Sequence, residues 1–212
     1  MFSWKKLDIR GYQQELVPNT FMQQNETTEH AAIVFPGLGY TCQGPVLSYP
    51  TFELLARGAD VLQVEYNTRR SESHKEEVED AIAACEVLLQ QRTYKQLTVI
   101  GKSLGTMVMG NLLTTQTLPL AIQAIWLTPV LTVPTFQEQL RKIAHPSLFV
   151  IGSADYCYKP DLLKEIQEVT GREVLVIEGA DHGLLIQNDV LSSIHVIERV
   201  IRNMQTFLDQ QK

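Results

Sequence analysis

Ser103 stands between two glycines in Val99-Ile100-Gly101-Lys102-Ser103-Leu104-Gly105, where a short apolar run gives way to apolar residues at helical spacing. A serine in a GxSxG setting projects its hydroxyl from a sharp strand-to-helix turn, which suits it for nucleophilic attack on an acyl carbon. The glycines have a steric reason. The serine backbone is strained, and side chains two positions before and after it would collide across so tight a turn. The rival reading is simpler, since serine is also a favoured N-cap for the helix that follows.

A serine hydroxyl is a poor nucleophile near neutral pH, so this chemistry demands a base and a group that orients it. Among the five histidines, His182 lies in Glu178-Gly179-Ala180-Asp181-His182-Gly183, a loop directly after the last apolar run. His145 instead precedes a strand. His195 is embedded by the pattern Ile194, Ile197, Ile201, Met204 and Leu208 in a long amphipathic helix. For the acid, Asp155 follows Phe149-Val150-Ile151-Gly152-Ser153-Ala154, again just past a strand. Asp161 beside Pro160 is explained by a helix start. Asp181 is the immediate neighbour of His182, a spacing at which side chains do not converge. Ser103, His182 and Asp155 therefore read as nucleophile, base and orienting acid, against the plainer roles of a cap, a loop histidine and a turn or Lys159-paired carboxylate.

Acyl transfer also needs backbone N–H groups aimed where negative charge develops on a tetrahedral intermediate. Phe35-Pro36-Gly37-Leu38-Gly39-Tyr40 offers the Leu38 amide, and the residue after the serine offers the Leu104 amide. Tyr40, Tyr66, Tyr156 and Tyr158 follow strands and are candidates to line a substrate pocket, shaped by the loops after Tyr40, Asn67, Thr128 and Asp155. Lys102 beside the serine would either favour an anionic substrate or form a local ion pair, and the ion pair is the expectation. Cys42 and Cys157 lack the basic neighbours of a reactive thiol, and Trp126 is read as core.

These residues need elements to hold them. Strand-like runs at Ala31 to Phe35, Asp60 to Glu65, Leu97 to Ile100, Ile122 to Leu127, Ser147 to Ile151 and Glu173 to Ile177 alternate with helical stretches. Those stretches run near Val46 to Arg57, Lys75 to Gln91, Ser103 to Gln116, Thr135 to Lys142, Pro160 to Thr170 and Val190 to Leu208. The alternation predicts an α/β fold, a mostly parallel sheet with helices on both faces. All strand carboxyl ends then gather on one edge, where Ser103, Asp155 and His182 would meet. Residues 1–30 are more polar and would add one or two antiparallel strands at an edge.

At 212 residues and 44% hydrophobic composition, the chain is expected to form one domain, 1–212, with its core at about 31–209. A net charge of -6 without a long Lys/Arg run argues against nucleic-acid and anionic-membrane partners. Three cysteines without CxxC spacing suggest reduced thiols rather than a disulfide framework or zinc site, and no HExxH motif occurs. No cofactor or metal is expected. The amino terminus reaches charges too early for a signal peptide, and no apolar run has membrane-spanning length, so a cytoplasmic location is expected.

The glycine-flanked Ser103, Asp155 after the next-to-last strand, His182 after the last, and Gly37-Leu38-Gly39 after the first core strand together resemble the α/β-hydrolase family over roughly residues 31–209. Ser103, Asp155, His182 is the chain order of that family's triad. Many members carry His-Gly in the oxyanion loop, where this chain has Pro36-Gly37, so no loop histidine is carried over. The segment Thr128-Pro129-Val130-Leu131-Thr132-Val133-Pro134 is too short for the helical cap found in many lipases and dehalogenases. The resemblance implies a compact lidless serine hydrolase, similar to small carboxylesterases, thioesterases and dienelactone-hydrolase-like proteins. It would cleave a small-molecule carboxylic ester or thioester through an acyl-enzyme on Ser103. Acyl transfer to another acceptor and non-catalytic ligand binding on the same fold are the alternatives, and neither substrate nor oligomeric state is fixed by the sequence.

Overall fold

The computed structural model describes residues 1–66 and 74–210, so Asn67 lies outside the described residues. Eight strands form one sheet: β1 (Phe2–Lys5), β2 (Asn19–Gln24), β3 (His30–Phe35), β4 (Asp60–Val64), β5 (Gln96–Lys102), β6 (Ala121–Leu127), β7 (Ser147–Gly152) and β8 (Arg172–Ile177). Their order is β1-β2-β4-β3-β5-β6-β7-β8. The pairs β1–β2 and β2–β4 are antiparallel, and every other neighbour pair is parallel. The polar N-terminal region thus supplies both of the antiparallel edge strands, pinned by the Asn19 side chain. Its oxygen accepts from the Leu7 amide, and its nitrogen donates to the Leu7 and Val17 carbonyls.

Six helices cover the sheet: α1 (Pro45–Ala56), α2 (Lys75–Leu89), α3 (Leu104–Thr115), α4 (Pro134–Lys142), α5 (Pro160–Gln167) and α6 (Val190–Gln210). Proline opens α1, α4 and α5, where its missing N–H costs no intrahelical bond. Helices α2, α3, α4 and α5 pack on one face and α1 with α6 on the other, giving two hydrophobic clusters separated by the sheet. Strand β5 lies between β3 and β6, and residues 97–102 are all buried. That two-sided burial explains its continuous apolar run. Trp126 belongs to this core, fully buried and stacked on Phe149.

Two expected features are corrected. Helix α5 ends at Gln167 rather than Thr170. Helix α6 faces the sheet with Val196, Val200, Met204, Phe207 and Leu208, whereas Ile194 is 58% exposed and Ile197 and Ile201 are only partly covered. The helix carries two apolar stripes, and the one led by Val196 and Val200 is inside, with Ile197 at its margin. No described helix is long and apolar enough to cross a membrane.

Candidate active site

At the carboxyl end of central β5, Ser103 adopts φ 50 and ψ -117, a conformation rarely seen for a side-chain-bearing residue. Strain of this kind persists only where surrounding structure imposes it. Here the Ser103 amide donates to Leu127 O at 3.0 Å, and its carbonyl accepts from the Thr106 amide at 2.8 Å and Thr106 Oγ1 at 2.6 Å. The hydroxyl does not cap α3. It lies 2.8 Å from His182 Nε2.

The flanking glycines are explained by close backbone approach. A Cβ on Gly101 would lie 2.6 Å from Gly105 O, the collision across the turn that the sequence suggests. A Cβ on Gly105 would lie 2.2 Å from Phe35 O, so its role is to let α3 seat against the end of β3.

His182 is held by the loop after β8, which is stitched to the loop after β7. Ala154 N donates to Ala180 O at 3.0 Å, Gly179 N donates to Ser153 Oγ at 2.9 Å, and a Cβ on Gly152 would fall 1.9 Å from Ala180 O. Asp181 braces the same loop by accepting from the Gly183 and Leu185 amides at 2.7 and 3.0 Å. This is its structural role beside His182.

Asp155 is fully buried at its side chain, and both carboxylate oxygens lie 2.9 Å from His182 Nδ1. Its Oδ1 also accepts from the Cys157 amide at 2.8 Å. A carboxylate only accepts, so Nδ1 carries the imidazole proton of neutral His182, and Nε2 is left to accept from the Ser103 hydroxyl. The Tyr156 ring packs on His182 at 4.5 Å between centroids while remaining 72% exposed. The three residues thus form a continuous chain, Ser103 to His182 to Asp155, running from partly buried to fully buried.

Leu38 and Leu104 flank the serine differently. A Cβ on Gly37 would meet Ser103 Cβ at 3.0 Å, so the loop after β3 touches the serine directly. Tyr40 N donates to Gly37 O at 3.1 Å, closing a turn with Gly39 at φ 68 in its third position, a place for glycine. Leu38 lies within that turn and is 64% exposed. Leu104 opens α3, where the first N–H groups have no intrahelical acceptor.

The expected local ion pair of Lys102 does not form. Its side chain turns inward and is buried, with Nζ donating to His182 O at 3.2 Å and Thr128 Oγ1 at 3.4 Å, 4.8 Å from the Tyr40 ring centroid. No carboxylate lies within ion-pair distance among the described residues. Burial lowers the Lys102 pKa, partly opposed by attraction to Asp155 and Asp181. Lys102 therefore joins the loops after β3, β6 and β8, a role that alternation and spacing do not announce.

Of the four tyrosines, Tyr40 lines a cleft between α1 and α6, and its hydroxyl accepts from the Val46 amide. Tyr156 covers His182. Tyr66 stacks near-parallel on Phe35 at 6.5 Å, and Tyr158 packs against the core on the α3 face. Cys42, Cys85 and Cys157 are free and buried, and burial pushes all three thiols up, away from reactivity. Donor atoms of Asp155, Cys157 and His182 lie within 4.8 Å of one another, but the carboxylate and Nδ1 are already engaged with each other.

No protein-family model matches the sequence, nor does any curated protein. Solved structures do match. An esterase from Pyrococcus furiosus superposes with TM-score 0.76 at 16% identity, covering 99% of this chain and 93% of that one. A serine hydrolase without a lid from Xanthomonas campestris gives 0.67 at 16% identity over 96% and 94% of the two chains. Est1E from Butyrivibrio proteoclasticus gives 0.66 at 12% identity over 96% and 99%. Identities this low speak to architecture, and with the strand order and the short 128–133 connection they establish that this chain has the α/β-hydrolase fold without a lid.

Proposed function

We propose that the protein is a serine hydrolase that cleaves a carboxylic ester or thioester through an acyl-enzyme on Ser103. The observation that carries this reading is the 2.8 Å contact between Ser103 Oγ and His182 Nε2 at a serine whose strained backbone aims its hydroxyl away from helix capping.

In the first half-reaction, His182 Nε2 takes the hydroxyl proton as Ser103 Oγ bonds to the acyl carbon. The carbonyl π electrons move onto oxygen, which the Leu38 and Leu104 amides stabilise. Collapse of this intermediate expels the alcohol or thiol, protonated by His182. Water, deprotonated by the same imidazole, then attacks the acyl-enzyme and releases the acid and free Ser103. Asp155 keeps the proton of His182 on Nδ1 and stabilises the imidazolium that forms at each step. Named relatives by fold include esterases, which agrees with this chemistry.

The test is intact-mass analysis after incubation with a fluorophosphonate, comparing wild type with Ser103→Ala and His182→Ala. A single adduct on Ser103 that both substitutions remove is expected. Labelling that survives Ser103→Ala, or a folded wild type that never labels, would overturn the assignment.

A further inference from the structure

We infer that Tyr156 is a positioning residue for the general base: the face of its ring holds the His182 imidazole and stabilises the imidazolium that forms each time Nε2 takes a proton. This rests on the hydrolase reading above and adds to it a second group that favours the charged base.

Two consecutive residues of the turn after β7 meet the same imidazole from different directions. The turn is closed by the Asp155 amide, which donates to Gly152 O at 3.2 Å, and by the Tyr158 amide, which donates to Asp155 O at 2.9 Å. Asp155 points inward, with its carboxylate at the Nδ1 edge of His182. Tyr156 points outward, with its ring centroid 4.5 Å from that of the imidazole and the two planes tilted by 39°. That angle is nearer to stacked than to perpendicular. The distance is well inside the roughly 6 Å over which a cation is drawn to the electron-rich face of an aromatic ring. Core packing does not account for the ring, because Tyr156 is 72% exposed.

The other groups around His182 leave room for such a partner. Asp155 is the one carboxylate in contact with the imidazole among the described residues, since Asp181 turns back to the Gly183 and Leu185 amides. Burial keeps the neighbouring Cys157 thiol protonated, and the Ser103 hydroxyl at Nε2 is the source of the proton. Lys102 Nζ, donating to His182 O at 3.2 Å, brings a like charge to the same loop, and the Tyr40 ring lies over that lysine at 4.8 Å. A neutral imidazole gains little from the ring's negative face, whereas an imidazolium gains an electrostatic attraction. The contact therefore acts on the barrier rather than on substrate binding.

The experiment measures kcat and KM for p-nitrophenyl acetate and vinyl acetate in wild type, Tyr156→Phe, Tyr156→Leu and proteins carrying progressively fluorinated phenylalanines at position 156. Rates are expressed per Ser103 labelled by fluorophosphonate, which removes any difference in the fraction folded. Fluorine draws electron density from the ring face and keeps the ring in place. Tyr156→Phe should retain the wild-type kcat. Tyr156→Leu should lose about two- to fivefold in kcat with KM unchanged, for both substrates, and each added fluorine should move the phenylalanine protein toward that value. A Tyr156→Leu protein with wild-type kcat, or a kcat that ignores fluorination, overturns the role. So does a loss confined to KM or to the p-nitrophenyl ester, which would make the ring a platform for the leaving group. In each of those cases Ser103 labelling leaves the hydrolase reading standing. Absence of the Ser103 adduct in wild type removes that reading, and the role of Tyr156 with it.

Discussion

Replacing Asp155 by Asn tests the direction of proton flow through the site with little change in shape. The Cys157 amide donates to Oδ1 of Asp155 at 2.8 Å, so the asparagine carbonyl oxygen is held there and the NH₂ group is turned toward His182. The NH₂ group takes the place of Oδ2, so a second donor faces Nδ1 at about the 2.9 Å now spanned to that oxygen, and the one remaining acceptor, Oδ1, is shared with the Cys157 amide. The imidazole escapes this conflict by moving its proton to Nε2, which makes it a donor to Ser103 Oγ and removes the base. Loss of the correct tautomer costs about 10⁴ in kcat, equivalent to about 5.4 kcal/mol of transition-state stabilisation. The assay is kcat for p-nitrophenyl acetate, paired with the rate of fluorophosphonate labelling and a urea unfolding curve. Both rates should fall together by about four orders of magnitude. A folded Asp155→Asn protein within about tenfold of wild type would refute the reasoning, because Ser103 would then be activated without the Asp155–His182 contact.

Three other outcomes are expected. His30, whose Nε2 lies 2.9 Å from Thr98 Oγ1, is held neutral by burial and then by the Arg57 charge, with its pKa lowered to about 4 from 6.5. Between those values the unfolded chain binds more protons than the folded one, so stability falls with falling pH. The fall is on the order of 2 to 3 kcal/mol from about pH 7.5 to about pH 4.5, and His30→Gln should remove it in urea titrations at the two pH values. Lys102→Met deprives the His182 carbonyl and Thr128 Oγ1 of a donor, and the resulting drift of the base should lower kcat about tenfold to a hundredfold with little change in KM; a changed KM with unaltered kcat would contradict this. Gly37→Ala places a methyl 3.0 Å from Ser103 Cβ and displaces the Leu38 turn, so kcat should fall by about 10², the worth of one oxyanion donor, while circular dichroism remains native.

What could be read from sequence was the periodic and the chain-local. Buried strands such as Leu97 to Ile100 announce themselves because both faces are apolar, and the shared edge of Ser103, Asp155 and His182 follows from parallel topology alone. Helix α6 shows where periodicity stops: Ile194, Ile197 and Ile201 and the buried Val196, Val200 and Met204 both satisfy helical spacing, and only packing against α1 and the sheet decides between them. Tyr66 and Tyr158 follow strands as a pocket residue would, yet their ring directions depend on the core beneath them. Lys102 was legible as a charge beside the serine but not as a buried one, because its partners Thr128, His182 and Tyr40 come from three loops distant in sequence.

The twisted backbone of Ser103 has a bearing on how the protein matures. Its amide is tied to Leu127 at the end of β6, and the turn it initiates closes only when Gly105 is pressed against Phe35 at the end of β3. Segments some seventy residues apart on one side and twenty-four on the other must therefore both be seated in the sheet, and the loop after β8 in place, before the hydroxyl can meet the imidazole. A partly folded chain, even one whose third helix is complete, has a serine with ordinary reactivity. On the proposed reading of Ser103 as nucleophile, its covalent labelling during refolding would report the joint assembly of β3, β5, β6 and the loop after β8 rather than the formation of α3 alone.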